Sequence, residues 1–296
     1  MPQTSAAASV WPPSPWHSQD SLDYVEWGTA AWNDPWLYAG RSNDSIYRLL
    51  VTDTSLTYVR SVGLGAAAMV GPQAIDAGGN VYFGTDSGYL YKLTADLDLV
   101  WRVPLQANGE VHGPAIGADG TIYTVTDQGK LYAINTADGS TRWTRQLESE
   151  GSRPAVGDGA VFVGTSFGRF YAVNTSDGSI RWERRLGSSE FSTTPILTTK
   201  GLMYAVNEVD ILYCVRMSDG EVIWSCDCPM FLPDRRGRTW MQTVDYAPNP
   251  GITSRGDIIV VGSDALYCVK GYPDGLLDTS QPWPKWQHDR YNSGKQ

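Results

Sequence analysis

The residues whose types could support chemistry are few: three histidines and four cysteines in a chain of 296 residues. Cys226 and Cys228 flank a single residue, Asp227, whereas zinc sites usually place roughly two to four residues between paired cysteines. No histidine lies near this pair in the sequence. The spacing does not predict a zinc centre, although a disulfide or another metal role for Cys226 and Cys228 stays open.

Catalytic constellations of other kinds are not evident either. The sequence shows no Ser/His/Asp order and no metal-binding motif that would support nucleophilic or metal-assisted catalysis. His17 and His288 lie in tryptophan-rich segments near the two ends of the chain, where structural polar contacts are the favoured explanation. His112 is different, and its place depends on the elements around it.

A short strand of the form apolar-Tyr-x-apolar recurs along the chain and predicts the architecture. Its tyrosines are Tyr47, Tyr91, Tyr132, Tyr171, Tyr213 and Tyr267. A period of about 40 residues is typical of repeated supersecondary units, and the strand-rich pattern favours propeller blades. The sequence therefore predicts an all-β protein, a single β-propeller of about six four-stranded antiparallel blades, with seven blades as the alternative.

Aspartates and tryptophans follow the same period. An Asp lies five or six residues after each of the first five tyrosines, and an aromatic residue lies five residues after each Asp. Three of these Asp residues precede Gly, which predicts hairpins because both central residues of such a turn can take positive φ. Each Asp is alone in its turn, so a turn role is favoured over calcium binding. The repeated tryptophans, Trp101, Trp143, Trp182 and Trp224, are predicted to pack one blade on the next.

One blade can be written out from these signals as strands at 113–118, 121–126, 129–135 and 140–147. The segment VFVGTSFGRFYAVNTSDGSIRW at 161–182 resembles the repeat of the PQQ-like (quinoprotein) family. The resemblance is good over about 70–225 and weaker over 32–62 and 244–270. Blades are predicted near 31–66, 67–108, 109–149, 150–188, 189–228 and 244–280, with 1–30 and 281–296 closing the ring.

The resemblance implies either an enzyme or a scaffold. PQQ-dependent dehydrogenases of this family hold a quinone and calcium in the channel, but they have about eight blades and roughly twice this length. This sequence has no adjacent cysteine pair and no Cys-x-x-Cys-His haem motif, and no acidic cluster is expected at the channel rim. We therefore expect a non-catalytic member, without PQQ or calcium, that acts as a binding or scaffold propeller for a protein partner.

The loops that lead into the inner strands share one rim of the channel. The residue pairs before the inner-strand prolines differ from blade to blade, and binding chemistry tends to lie where a fixed scaffold carries variable residues. The candidates at these places are His112, Arg153, Thr194 and Asn249. The alternative is a set of solvated rim residues without a binding role.

An insertion at 226–245 lengthens the step between the last two repeats. Because it links an outer strand to the next inner strand, it is predicted to lie on the same rim. Its candidate contact residues are Arg235, Arg236, Arg238 and Trp240. Arginine with tryptophan is the composition of binding hot spots, although a loop that only covers the channel end is the alternative.

Charge narrows the classes of partner. The formal charge of −9 disfavours nucleic acid and anionic lipid, because both are bound through Lys and Arg. No apolar run reaches the roughly 18 residues of a membrane span. A glycan is the alternative partner, through the unrepeated Trp27, Trp32, Trp36 and Trp240. We expect a monomer. The resemblance favours an extracellular or periplasmic location, although residues 1–16 do not resemble a signal peptide.

Overall fold

The computed structural model describes residues 27–41, 45–65, 69–106, 109–209, 211–227, 250–261 and 266–271. Over these residues the secondary structure consists of strands, without a helix. The strands form six antiparallel sheets, five of four strands and one of three. This arrangement confirms the predicted propeller of about six blades.

Each blade is a meander in which consecutive strands pair. Blade 1 contains β1 (Trp27–Asn33), β2 (Trp36–Arg41), β3 (Ser45–Val51) and β4 (Leu56–Gly63). Blade 2 contains β5 (Met69–Ile75), β6 (Val81–Thr85), β7 (Tyr89–Leu93) and β8 (Leu99–Pro104). Blade 3 contains β9 (Ala115–Ile116), β10 (Ile122–Val125), β11 (Lys130–Ile134) and β12 (Thr141–Gln146).

The remaining blades repeat the pattern. Blade 4 contains β13 (Ala155–Gly157), β14 (Ala160–Gly164), β15 (Arg169–Asn174) and β16 (Ile180–Arg185). Blade 5 contains β17 (Ile196–Leu197), β18 (Leu202–Val206), β19 (Ile211–Arg216) and β20 (Val222–Asp227). Blade 6 contains β21 (Gly251–Ile252), β22 (Ile258–Val261) and β23 (Leu266–Val269).

The core lies between the blades. All five residues of β6, β14 and β18 are buried, because both faces of a middle strand pack against neighbouring blades. The outer strands are more exposed: β8 and β12 alternate between exposed and half-buried residues over their last five positions. The strands VYFGT and VFVGT therefore have continuous apolar character, whereas strands such as TRWTRQ carry charges towards solvent.

The repeated tryptophans join each blade to the next, as predicted. The indole N–H groups of Trp101, Trp143 and Trp182 donate to the carbonyl oxygens of Thr136, Thr175 and Met217, at 3.1, 2.9 and 2.8 Å. Each acceptor lies in the turn between the third and fourth strands of the following blade. One tryptophan in each of blades 2, 3 and 4 thus forms the same inter-blade hydrogen bond, which confirms the structural role of these three.

The repeated aspartates cap turns, which confirms their predicted role. The Asp177 carboxylate accepts the backbone N–H and the hydroxyl of Ser179 at 2.9 and 2.7 Å. The sequence predicts positive φ at both residues of these Asp-Gly pairs, and this prediction is wrong. Gly178 takes φ +72°, but Asp177 does not take positive φ. The turn spans four residues, closed by the Asn174–Ser179 hydrogen bond. Among the Asp-Gly pairs of the described residues, both members have positive φ only at Asp158-Gly159, where a true two-residue hairpin joins β13 to β14.

The inner strand of blade 2 contains a feature that the repeat does not reveal. In blade 2, four residues lie between Met69 and Ala74, which pair with residues of β6. In blade 3, three residues lie between the corresponding positions, Val111 and Ala115. The additional residue after Pro72 is Gln73. Its side chain is only 1% exposed, and neither amide atom makes a hydrogen bond with the described residues. Bulges of this kind re-aim side chains.

Candidate functional site

The predicted rim residues His112, Arg153 and Thr194 lie at one end of the blades. Because strand direction alternates along a meander, the links between blades and the turns between second and third strands fall at the same end. We call this the upper end. Its described links are 109–114, 147–154 and 187–195, and its turns are 86–88, 126–129, 165–168 and 207–209.

One main-chain hydrogen bond recurs at the upper end and fixes each link to the blade that follows it. The N–H groups of Asp127, Ser166 and Glu208 donate to the carbonyl oxygens of Glu110, Glu150 and Glu190, at 3.1, 3.1 and 2.9 Å. The three glutamates therefore occupy the same structural position in blades 3, 4 and 5.

Carboxylates from these links and turns form a cluster. Burial raises the pKa of Glu150, and the negative charges of Glu190, Glu110, Asp127 and Glu208 raise it further. Burial also raises the pKa of Glu110, with a contribution from Asp127, and the pKa of Glu190. We call Glu110, Asp127, Glu150, Glu190 and Glu208 the carboxylate cluster.

The expectation of no acidic cluster at the channel rim is therefore wrong. The acids come from two kinds of connection that are separated in the sequence and become neighbours only when the sheets pair. A signal was nevertheless present, because Glu110, Glu150 and Glu190 recur at the period of the repeat.

His112 lies inside this end rather than on its surface. Its backbone N–H donates to Val125 O at 2.9 Å, and its carbonyl accepts the Thr124 hydroxyl at 2.7 Å. The imidazole is 13% exposed, with Nε2 3.5 Å from Glu150 Oε1. Burial, together with the charge of Arg153, lowers the pKa of His112 to about 4. The imidazole is therefore neutral at pH 7, and its contact with Glu150 is not an ion pair.

Arg153 brings a positive charge to the carboxylate cluster. The positive charge of Arg153 opposes the upward shift in the pKa of Glu110 and contributes to the downward shift in the pKa of His112. Arg153 therefore lies near both residues. The preceding residue fixes the backbone here, since Ser152 Oγ accepts the Gly164 N–H at 3.0 Å. The structure thus brings His112 and Arg153 together, as their shared rim position predicts.

The other predicted contact residues divide into two groups. Thr194 is only 1% exposed, so its hydroxyl is not offered to a docking partner, because the link packs it beneath the surface. The remaining candidates, Arg235, Arg236, Arg238, Trp240 and Asn249, lie outside the described residues. Cys228 also lies outside them, so pairing of Cys226 with Cys228 stays a prediction.

Two exposed apolar side chains at the upper end were missed by the sequence reasoning. Phe167 is 58% exposed and Val209 is 53% exposed, at the tips of the turns between the second and third strands of blades 4 and 5. Each tip is adjacent to a residue that bonds a cluster glutamate: Ser166 bonds Glu150, and Glu208 bonds Glu190. A phenylalanine before the turn glycine, where other blades have Ser87 and Gln128, was the available signal.

The described residues support neither Trp36 as a sugar platform nor a metal centre. The guanidinium of Arg48 lies 3.7 Å from the ring centroid of Trp36 and occupies a ring face that a sugar would need. Within the described ranges, no group of three or more His, Cys, Asp or Glu side chains is arranged to hold a metal ion. The same part of the chain contains no helix with the length and apolarity needed to span a bilayer.

Together these features define the class of protein: an all-β propeller with acidic and exposed apolar side chains gathered at one end of its blades. Residues 28–152 and 147–229 match the family model described as outer membrane protein assembly factor BamB. These stretches cover more than half of the chain. The chain therefore belongs to this BamB-type family of PQQ-like propellers.

Solved structures agree on the fold. BamB from Moraxella catarrhalis is 18% identical with a TM-score of 0.59, over 84% of this chain and 76% of that one. A chain of the mitotic checkpoint complex is 13% identical with a TM-score of 0.66, over 82% and 73% of the two chains. The computationally designed Ika8 protein is 10% identical with a TM-score of 0.66, over 82% and 71%. At these identities the likeness shows the fold alone. A comparison with curated protein sequences returns no match.

Proposed function

We propose that this chain is a non-catalytic scaffold that binds a protein partner through the upper end of blades 3 to 5. The observation that carries the proposal is the exposure of Phe167 and Val209 on neighbouring blades. Apolar side chains that stand in a polar surround are typical of protein contact sites, whose centres are apolar and whose rims are polar. The carboxylate cluster supplies that polar surround.

Family membership supports the same class of function. The matching family is described as an assembly factor, and assembly is a matter of contacts between proteins. The propeller itself also suits this role, because its inter-blade tryptophan hydrogen bonds hold the blades independently of the upper end. The turns at that end are therefore free to vary for a partner.

We also propose that the upper end performs no reaction and uses neither PQQ nor calcium. A general base must reach the proton that it removes, but His112 Nε2 is buried against Glu150. No two of the four cysteines are adjacent in the sequence. Adding PQQ with calcium is expected to leave the absorption spectrum and the Tm unchanged. A Tm increase of more than about 2 °C would overturn this part of the proposal, since a bound ligand stabilises the folded state.

Site-specific photo-crosslinking tests the binding role. A photoreactive amino acid in place of Phe167 is expected to crosslink the partner in cells, after which the complex is rebuilt from purified components. Ile180 is the matched control, because it is 40% exposed on β16, away from the upper-end turns. In the rebuilt complex, the double variant Phe167→Ser/Val209→Ser is expected to bind more weakly, whereas Ile180→Ser binds normally. Equal crosslinking from positions 167 and 180, or unchanged affinity of the double variant, would refute the upper-end assignment.

A further inference from the structure

We infer that the partner docks on Phe167 and Val209 with a segment rich in lysine or arginine that also carries apolar side chains. This inference rests on the proposed function and specifies the chemistry of the partner. The exposed side chains of Phe167 and Val209 mark the position at which the segment docks. The charges of the surrounding residues determine the charge that the segment must carry.

The charges around the tips are strongly unbalanced. The carboxylate cluster contributes five acids, and Asp86 lies close enough to Glu110 to raise its pKa. Arg153 is the cation whose charge reaches Glu110 and His112, while His112 itself is neutral at pH 7. Arg169, at the start of β15, is already paired with Glu148 and Glu183. Arg185, at the end of β16, donates to the Gly187 carbonyl and adds one positive charge beside the Phe167 turn. The six acids still leave the described upper end with an excess of negative charge.

Burial distinguishes two of these carboxylates from ordinary surface acids. Glu150 and Glu190 are half-buried, and burial raises the pKa of both. A charge near a low-dielectric surface interacts more strongly with an incoming charge than one in bulk water does. Complementary charges of this kind favour the correct partner and its register, and repel a wrong one.

The same charges weigh against other occupants of the tips. A second copy of this chain would bring an identical acidic end, and the whole molecule carries −9, so the two upper ends would repel each other. An acidic segment would meet the same repulsion. A purely apolar segment would offer the carboxylates no positive charge while partly removing them from water, which is unfavourable.

A labelled peptide in which lysine and leucine alternate is the probe, with binding to the full chain followed by fluorescence anisotropy. Two control peptides replace every lysine by glutamate, or every leucine by serine. Binding is expected for the lysine–leucine peptide and is expected to be much weaker for both controls. Absence of binding by the lysine–leucine peptide, or equal binding by the glutamate peptide, would overturn the inference.

Charge variants of the protein give the second measurement. Glu150→Gln/Glu190→Gln keeps the side-chain size, and is expected to weaken peptide binding about three- to tenfold at low salt, since exposed ion pairs are individually modest. The difference from the parent chain is expected to shrink at high salt, where charges are screened. Asp53→Asn, in an exposed turn of blade 1 at the opposite end, is the matched control and is expected to bind normally.

Apolar variants separate the inference from the function on which it rests. If Phe167→Ser/Val209→Ser weakens binding but the glutamine variant does not, the docking surface stands and the basic character of the partner is refuted. If neither variant changes binding, both proposals fail. Sedimentation of the unliganded chain completes the test: a dimer that the serine variant dissociates would assign the tips to a second copy and overturn the inference.

Discussion

The glycine of the repeated Asp-Gly turn lies against the tryptophan of the preceding blade, which makes Gly178→Ala a sharp test of the inter-blade packing. Gly178 has φ +72°, and a Cβ there would lie 2.6 Å from Trp143 Cε3. Gly220 stands in the same relation to Trp182, at 2.7 Å. Glycine is therefore required at this turn for two reasons: the backbone conformation is left-handed, and a Cβ would overlap the tryptophan ring.

The two requirements have separate magnitudes. A left-handed conformation costs an alanine roughly 1–2 kcal/mol, and forcing extra volume into a packed site costs about 1–3 kcal/mol more. Gly178→Ala should thus lower the free energy of unfolding by about 2–5 kcal/mol. Gly201→Ala is the matched control, because Gly201 has φ +68° with no atom within 4 Å of the added Cβ. It should lose only about 1–2 kcal/mol.

Urea unfolding followed by far-UV circular dichroism measures both losses without depending on tryptophan fluorescence. A double-mutant cycle with Trp143→Ala isolates the contact, because removing the ring should reduce the effect of Gly178→Ala to that of Gly201→Ala. If Gly178→Ala costs no more than Gly201→Ala in the parent chain, the ring is not held tightly on the turn. The account of the tryptophan as the inter-blade contact would then be wrong.

Three further changes test other parts of the molecule. The triple variant Arg235→Ala/Arg236→Ala/Trp240→Ala is expected to reduce partner capture without changing the Tm; unchanged capture would contradict a binding role for the insertion. His112→Gln addresses the buried imidazole, whose folded pKa of about 4 lies below the unfolded value. Between about pH 6.5 and pH 4 only the unfolded state gains this proton, so the parent chain should lose up to about 3 kcal/mol more than the variant as the pH falls; parallel pH–stability curves from urea unfolding would contradict this. Gln73→Leu should raise the free energy of unfolding by about 1–3 kcal/mol, because it removes a buried amide without hydrogen bonds; a lower urea midpoint would mean that the amide is satisfied in solution.

The blades could be predicted from the sequence because each of their signals is local and repeated. A tyrosine strand, an Asp-capped turn and a tryptophan at fixed spacing specify one hairpin, and the same chemistry recurs in the following repeats. Trp143 is an example: its spacing from Asp138 predicts an outer strand, and its hydrogen bond to Thr175 follows from stacking that strand on the next blade. The number of residues in the turn was less accessible. The Asp-Gly pair is the same at 158–159 and 177–178, but strand pairing sets the length of each turn.

The upper end could be predicted only in part, because its chemistry depends on which connections meet there. His112 and Arg153 were identifiable, since both lie at one position of the repeat. The carboxylate cluster was identifiable only in part: Glu110, Glu150 and Glu190 recur at the period of the repeat, but Glu150 comes near Glu208 only when two successive blades pack together. The exposure of Phe167 had one local signal, its place before the turn glycine where other blades have Ser87 and Gln128, although phenylalanine in a strand-rich repeat is usually buried.

The tryptophan hydrogen bonds and the turns that vary between blades lie at opposite ends of the propeller. The carbonyl groups that receive the tryptophan N–H bonds belong to Thr136, Thr175 and Met217, all in turns at the end opposite to the upper end. The contacts that hold blade to blade are therefore repeated at the lower turns, where a change in one blade would disturb its neighbour. The upper turns carry no such tryptophan contact in blades 2 to 4, so they can differ from blade to blade while the blades stay in place. Such an arrangement is expected of a scaffold whose partner is recognised by variable turns on a constant frame.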